Sequence, residues 1–425
     1  MGIKSYMEGS SATVENERAN PWTFSMSTAF IVLYLFPYLI GKGIGPYTFN
    51  YTGSLFIVSV LLFFIYRPSF SVRVRDIKGC AYFIGLPILA AIWWVYIQSS
   101  NAAYEFVHLL NGAVTILLML WFLRTPQQIR RAIVAAKFAA LILVLRGGAE
   151  IILGAAQIPT AGFSNPNYLT TYLALITPIL LVEAVGLVGK ARWDSLGLLA
   201  LIVIITILAG SRANLLAITV QAAIVSWQKL SQRRSIIRWI LQGFFILLIV
   251  GFSGLVFQSI VTEGGSKGSL KEQISEGSGS AFIRTVMIVD GVRLFVKSKG
   301  LGVGAGNVTY NDSSQPYFGK DNEKKTIYPL HNFLIQLAAQ YGITGVLLFV
   351  YTSIHIFKNV SKYKVNDYTH SHIEITRLSM LAFAVSFVMI SISVSYMFDR
   401  RPFYFAFGLY IVVNQYLVKR PQVTN

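Results

Sequence analysis

Long apolar runs separated by short polar loops dominate the sequence. A helix needs roughly 20 apolar residues to cross the hydrocarbon core of a bilayer. The chain is 54% hydrophobic and only 13% charged, which leaves too little polar surface to cover a soluble globule of 425 residues. The pattern therefore predicts an all-α integral membrane protein with about twelve transmembrane helices. We place these spans near 27–45, 49–66, 79–98, 104–123, 130–154, 168–188, 195–210, 213–228, 238–259, 333–357, 376–397 and 402–418.

Basic residues in the loops predict the orientation of the spans, because Lys and Arg near span ends stay in the cytoplasm. Alternate loops contain Arg67, Arg73, Arg75, Lys78, Arg124, Arg130, Arg131, Lys190, Arg192, Lys229, Arg233, Arg234, Arg238, Lys358, Lys362 and Lys364. The opposite loops near 99–103 and 155–167 have no basic residue. Both termini are therefore predicted to be cytoplasmic. The net charge of +18 follows largely from this asymmetry and requires no nucleic-acid partner.

This orientation places one large loop outside the membrane, between the ninth and tenth spans. The predicted segments are a cytoplasmic N-terminal segment (1–22), spans one to nine (23–259), the extracytoplasmic loop (260–330), spans ten to twelve (331–418) and a cytoplasmic tail (419–425). The loop opens with a Gly/Ser-rich stretch, and residues 281–300 then have helical periodicity. At 100° per residue, this periodicity groups Asp290, Arg293 and Lys297 on one face of an amphipathic helix.

Three arginines depart from the charge rule, because they lie in short loops on the predicted outer side. Arg212 follows a tight hairpin, and Arg400 and Arg401 precede the last span. Arg284 lies on the apolar face of the loop helix, where an arginine either snorkels to the interface or meets an anion. Pairing of Arg284 with a loop carboxylate such as Glu276 is an alternative. For Arg212, Arg400 and Arg401 the alternative is an anchor to lipid headgroups.

Sequence motifs of several enzyme classes are missing. The sequence contains no HExxH, no GxSxG and no GxxxxGK[ST], so metallopeptidase, serine-hydrolase and ATPase chemistry have no support. The glycine run 299–307 lacks the preceding buried strand of a dinucleotide site. The single cysteine, Cys80, excludes a disulfide framework and a cysteine-rich metal site.

Four motifs in order resemble the superfamily of O-antigen ligases and Wzy-type polysaccharide polymerases. They are FSNPNYLTTYLA (163–174), GSRANLLAI (210–218), IRTVMIVDGVRLFVKSKGLGVGAGN (283–307) and HNFLIQLAAQYGITG (331–345). The strongest element is a His-Asn-x-x-Leu motif followed by Gly-x-x-Gly, formed by His331, Asn332, Leu334, Gly342 and Gly345. The sequence departs from the resemblance at Lys299, where relatives often have proline.

This resemblance implies a GT-C-like membrane enzyme that transfers a glycan from a polyprenyl diphosphate carrier at the outer face of the bacterial inner membrane. The acceptor is lipid A core for a ligase, or another carrier-linked repeat for a polymerase, and the sequence does not separate these two functions. The implied glycosyltransferase inverts the anomeric carbon and uses neither a metal nor another cofactor. A transporter of polyprenyl-linked glycans is a third hypothesis, but the sequence has no evident inverted repeat.

The resemblance also gives the candidate residues their roles. Arg212 and Arg284 are expected to hold the diphosphate with their planar guanidinium groups. His331 precedes a helix, where the helix dipole favours a neutral imidazole that accepts the acceptor's proton. A structural cap is the alternative role for His331. The expected substrate-binding residues are Asn332, Asn165, Asn167, Ser211, Arg400 and Arg401.

Two further interpretations stay open at this level. The segment Asn165 to Asn167 is either part of the substrate site or only a turn that starts a helix. Arg146 and Glu150 lie four residues apart within the fifth span, so they either pair with each other or mark a functional site in the bilayer.

Overall fold

The regular structure of the described residues consists of helices alone. The computed structural model describes residues 79–98, 100–123, 126–163, 165–186, 190–230, 280–306, 308, 330, 332–362, 371–393 and 401–419, and no strand occurs within these ranges. The helices are α1 (Ala81–Ile97), α2 (Ser100–Phe122), α3 (Pro126–Ile152), α4 (Pro166–Gly186), α5 (Lys190–Leu208), α6 (Arg212–Leu230), α7 (Ser280–Lys297), α8 (Phe333–Lys362), α9 (Ser371–Ser393) and α10 (Arg401–Lys419). The predicted all-α class is confirmed for this part of the chain.

Each predicted span that falls on described residues coincides with a helix to within a few residues. Among the described residues, five segments are long and apolar enough to cross a membrane, namely Asn101–Leu120, Pro126–Ile152, Pro166–Gly186, Lys190–Leu208 and Phe333–Lys358. Shorter apolar helices are Ala81–Ile97, Ile375–Ser391 and Phe403–Gln415. The predicted spans 27–45, 49–66 and 238–259 lie outside the described residues. The count of about twelve spans and the placement of the large loop therefore stay predictions.

Asparagine caps define where two of the helices begin. Asn165 precedes α4, and its Oδ1 accepts the backbone N–H of Asn167 at 2.8 Å. Pro166 then occupies the first helical position, where its missing N–H costs no hydrogen bond. Asn332 precedes α8 in the same way, and its Oδ1 accepts the N–H of Ile335 at 3.1 Å. The two caps set the direction in which the chain enters α4 and α8. Candidate residues lie at both of these helix starts.

A cluster of phenylalanines joins α8, α9 and α10 in the core. Phe333 of α8 packs against Phe387 of α9 and Phe403 of α10, each with a ring-centroid distance of 5.6 Å. Phe349 of α8 packs against Phe407 of α10 at 6.1 Å and against Phe333 of its own helix at 5.3 Å. The rings of Phe333 and Phe349 therefore meet across a sharp bend within α8, and the start of α8 lies beside the start of α10.

Helix α8 is kinked at Gly342, and the chain that follows α7 packs into the kink. Gly342 has φ 64° and ψ −158°, a conformation that is essentially restricted to glycine. The backbone N–H of Ile343 donates to the carbonyl of Gly300 at 2.8 Å, and that of Val303 donates to Ala339 at 2.8 Å. The glycine run that resembles a nucleotide motif is therefore a close backbone contact on α8. Lys299 has φ 52° at the start of this turn, a value that proline cannot adopt.

Candidate functional site

A buried network of amides and hydroxyls connects the start of α4 to the start of α6. Ser211 donates from Oγ to Asn167 Oδ1 at 2.8 Å. Asn214 is fully buried and donates from Nδ2 to Thr170 Oγ1 at 2.8 Å, to Thr171 Oγ1 at 3.0 Å and to Ser211 Oγ at 3.0 Å. A set of mutual hydrogen bonds of this kind rigidifies the groups that it joins. The two helix starts therefore form one fixed unit.

Arg212 lies at the edge of this network, as the first residue of α6. Gly210, with φ 63°, turns the chain between α5 and α6, and Ser211 then joins the network. The arginine side chain is partly exposed. Backbone N–H groups in the first turn of a helix have no partner within the helix, so a helix start attracts anions. An arginine at this position adds a permanent charge and a planar fork of donors.

The contacts between α4 and α6 continue beyond this network. Gln221 of α6 donates from Nε2 to the carbonyl of Ala174 in α4 at 3.0 Å and to Ser386 Oγ of α9 at 2.8 Å. The paired positions advance in the same direction along both helices, so α4 and α6 run parallel. Helix α9 also packs against α8 and α10 through its phenylalanines. Helix α9 therefore contacts both the parallel pair α4 with α6 and the group formed by α8 and α10.

The start of α8 is the second place where candidate residues gather. Asn332 caps the helix, and Phe333 packs on Phe403, two residues after the first residue of α10, Arg401. His331 and Arg400 lie outside the described residues, and for Arg401 the description is limited to its place in the helix. The structure therefore brings the start of α10 beside the capped start of α8.

Helix α7 lies against this second group. A side chain at Gly291 of α7 would overlap the side chains of Ile335 and Leu330, so these two side chains pack directly on the backbone of α7. Met287 of α7 is buried in the small core that this contact forms. Arg284 lies in the first part of α7, and only its place in the helix is described.

Glu105 of α2 is a buried acidic residue that the sequence interpretation missed. Its side chain accepts hydrogen bonds from Tyr341 Oη at 2.6 Å and from Gln340 Nε2 at 3.0 Å. Both donors precede the kink of α8 at Gly342, so the carboxylate connects α2 to that kink. The sequence does contain a signal for Glu105. Burial of an acidic residue within an apolar span costs free energy unless it has partners, so such a residue indicates a buried polar contact.

The pair formed by Arg146 and Glu150 has a structural role in the described chain. Arg146 Nε lies 3.8 Å from Glu150 Oε1, which confirms the predicted pairing. Glu150 Oε2 also accepts the backbone N–H groups of Thr160 and Ala161, both at 2.8 Å. The carboxylate therefore holds the loop that leads from α3 to the start of α4.

A second buried ion pair joins α3, α4 and α5 away from these groups. Lys137 Nζ lies 2.6 Å from Glu183 Oε2, and the Glu183 side chain is only 4% exposed. Ser195 Oγ donates to the same carboxylate oxygen at 2.7 Å. Burial of a charged pair is tolerated here because hydrogen bonds satisfy its polar atoms.

The central part of the chain matches a known family. Residues 197–350 match the Wzy_C family, described as O-antigen ligase. This match confirms the resemblance and includes Ser211, Arg212, Arg284, His331 and Asn332. No curated protein matches the chain. The family supports a membrane enzyme of the glycosyltransferase type, with a ligase or polymerase function on polysaccharide or lipid-linked substrates.

Proposed function

We propose that the protein is an O-antigen ligase-type transferase of the bacterial inner membrane. It moves a polysaccharide from a polyprenyl diphosphate carrier to lipid A core at the periplasmic face, and both of its termini are cytoplasmic. The observation that carries this proposal is the buried network around Ser211 and Asn214, which holds the start of α6, where Arg212 is the first residue, against α4. A cation at a helix start suits a diphosphate, whose charge increases as the glycan leaves.

The proposed reaction is a single displacement at the anomeric carbon. The acceptor hydroxyl oxygen forms a bond to that carbon while the bond from the carbon to the diphosphate oxygen breaks, with inversion. The electron pair of the broken bond stays on the diphosphate, where Arg212 and Arg284 stabilise it. The hydroxyl proton passes to His331 as general base. The reaction needs no metal and no other cofactor.

In this reaction the candidate asparagines position the helix starts that carry the reacting residues. Asn167 and Ser211 hold the start of α6 against α4, and Asn165 caps α4. Asn332 caps the helix that follows His331 and so directs the chain at the base. Arg400 and Arg401 flank the start of α10 and contribute positive charge near the carrier diphosphate.

Substitution of the arginines by lysine tests the diphosphate clamp. Arg212→Lys and Arg284→Lys keep the charge but lose the planar fork, so we expect glycan transfer to fall by ~10²-fold or more. The measurement is transfer of carrier-linked glycan in membranes, with protein amounts matched. Arg192→Lys is the matched control, because Arg192 lies at the opposite end of α5 beside Trp193. Full activity of both Arg212→Lys and Arg284→Lys would refute the clamp.

The variant His331→Gln separates the base from the clamp. Glutamine retains a polar amide but takes no proton at neutral pH. We expect carrier binding to persist while transfer falls by about 10²- to 10⁴-fold. Transfer at the wild-type rate would leave His331 with a positioning role only.

A further inference from the structure

Helix α7 has an exposed apolar stripe on the side opposite its contact with α8. Val289, Val292 and Val296 are between 46% and 66% exposed. At 100° per residue, these three positions lie within about 60° of one another. The buried residues Met287 and Gly291 occupy the other side of the helix, against α8. A row of valines on a surface that faces water is unfavourable, so this stripe indicates an apolar neighbour.

The turn after α7 connects the helix that carries the valine stripe to a second exposed apolar row, on α8. After α7 the chain turns, and Leu301 is 70% exposed beside the carbonyl of Gly300 that accepts the N–H of Ile343. Ile343 begins a row of exposed apolar residues along α8, which continues with Leu347, Val350 and Ile354. The segment Phe333–Lys358 is long and apolar enough to cross a membrane by length and composition, so we assign the exposed apolar row that follows its kink to the lipid-facing side. The helix that carries the valine stripe is therefore joined by one turn to a surface that we assign to lipid.

Basic residues border this stripe on one edge. Arg293 is exposed and projects about 40° from Val289 on the helical wheel. Lys297 and Lys299 are exposed on the same segment. The acidic neighbour, Asp290, lies 3.4 Å from Arg293, and its side chain is largely buried. This edge therefore presents more positive than negative charge to its surroundings.

From these observations we propose that α7 is a membrane-surface helix that lies in the outer leaflet. The valine stripe inserts among the upper acyl chains, and Arg293, Lys297 and Lys299 bind the phosphates of lipid headgroups. An apolar stripe with a basic border is the surface that anionic phospholipids fit best. The proposal does not depend on the transfer reaction, and its test needs no glycan.

Fluorescence quenching in reconstituted bilayers tests the position of the stripe. The full-length protein carries a single environment-sensitive label at Val292→Cys or at Val296→Cys, and the native Cys80 is buried. Leu347→Cys on α8 provides the lipid-facing control, and Ala155→Cys on the exposed loop after α3 provides the aqueous control. We expect both valine positions to be quenched by acyl-chain nitroxide lipids, as Leu347 is, and to be protected from an aqueous nickel quencher.

Three results would overturn the proposal. If the labels on α7 respond to the aqueous quencher as Ala155 does, the stripe faces water. If they resist both quenchers, protein covers the stripe, either another part of this chain or a second copy. Quenching by lipid at only one of the two valines would also contradict a helix that lies in the membrane plane.

A second arm tests the headgroup contact. Nitroxide-labelled phosphatidylglycerol should quench the Val292 label more strongly than the phosphatidylcholine analogue, because the basic edge concentrates anionic lipid. The double variant Lys297→Gln with Lys299→Gln should lose this preference. Lys190→Gln, on the exposed start of α5, is the matched control and should retain it. A preference that survives the double variant would remove the lysines from the interaction.

Discussion

At the scale of residues, asparagine amides cap the starts of α4 and α8, and these helix starts form part of the candidate site. Asn165 and Asn332 were predicted as substrate-binding residues, and the structure uses both amides as helix caps. A cap and a ligand contact have the same sequence signal, because both place an amide at an open helix end. Asn214 escaped prediction, because it lies inside a helix and its partners Thr170 and Thr171 are distant in sequence.

The substitution Asn167→Asp tests whether the network lies beside an anion. Aspartate keeps the acceptor for Ser211 Oγ but adds a negative charge next to Arg212. Two charges about 4 Å apart interact by about 1 kcal/mol in bulk water and about 4 kcal/mol at the effective dielectric constant of a protein surface. We expect carrier affinity to fall by about tenfold, measured by binding of a polyprenyl diphosphate in detergent, while the thermal midpoint stays near wild type. Unchanged affinity would place the diphosphate elsewhere.

At the scale of elements, the kink of α8 depends on contacts that no local pattern contains. The sequence identified Gly342 and Gly345 as part of a motif, yet it gave no sign that residues 300–303 pack into the bend. Such a contact depends on backbone approach between distant segments. The same reason applies to Glu105, whose partners Gln340 and Tyr341 come from the other half of the chain.

We expect Gly342→Ala to destabilise the protein strongly. An added methyl group would overlap the backbone of Gly300 and Leu301, and the φ of 64° disfavours any side chain. Overpacking of this kind costs about 1–3 kcal/mol, and backbone strain adds to it. The measurement is the thermal midpoint in detergent.

Gly148→Ala is the matched control for this prediction. Gly148 lies within α3 with open space around it, and alanine in a helix interior is favoured over glycine by roughly 0.5–1 kcal/mol. Its thermal midpoint should be unchanged or higher. Equal thermal midpoints for the two variants would show that the glycine contact at the kink does not contribute to stability.

At the scale of the whole molecule, the sequence predicted the helices better than their arrangement. Apolar length determines where a chain crosses a bilayer, so the predicted spans match helices wherever the structure describes them. Apolar length does not determine which helices pack against each other, because an apolar face fits lipid as well as it fits protein. The parallel pair α4 with α6, and the contact between the starts of α8 and α10, became visible only from the structure.

The orientation of the molecule is open to direct measurement. The predicted topology places Gln157 outside and Ala191 in the cytoplasm, and both residues are exposed. Cysteine at position 157 should react with a membrane-impermeant maleimide in intact spheroplasts, whereas cysteine at position 191 should react only after lysis. The reverse pattern would invert the topology and place Arg212 on the cytoplasmic side.

The ion pair between Lys137 and Glu183 bears on how the chain enters the membrane during synthesis. The two residues are 46 positions apart, so α3 leaves the ribosome before its partner charge exists. A lone lysine at the centre of a span costs roughly 2.5–3.5 kcal/mol during insertion. We expect α3 to remain beside the insertion machinery until α4 arrives, so that both helices enter lipid together. In chains arrested before residue 183, α3 should crosslink to that machinery, and in Lys137→Met chains of equal length it should crosslink to lipid instead. Identical crosslinks in both would show that α3 inserts independently of its partner.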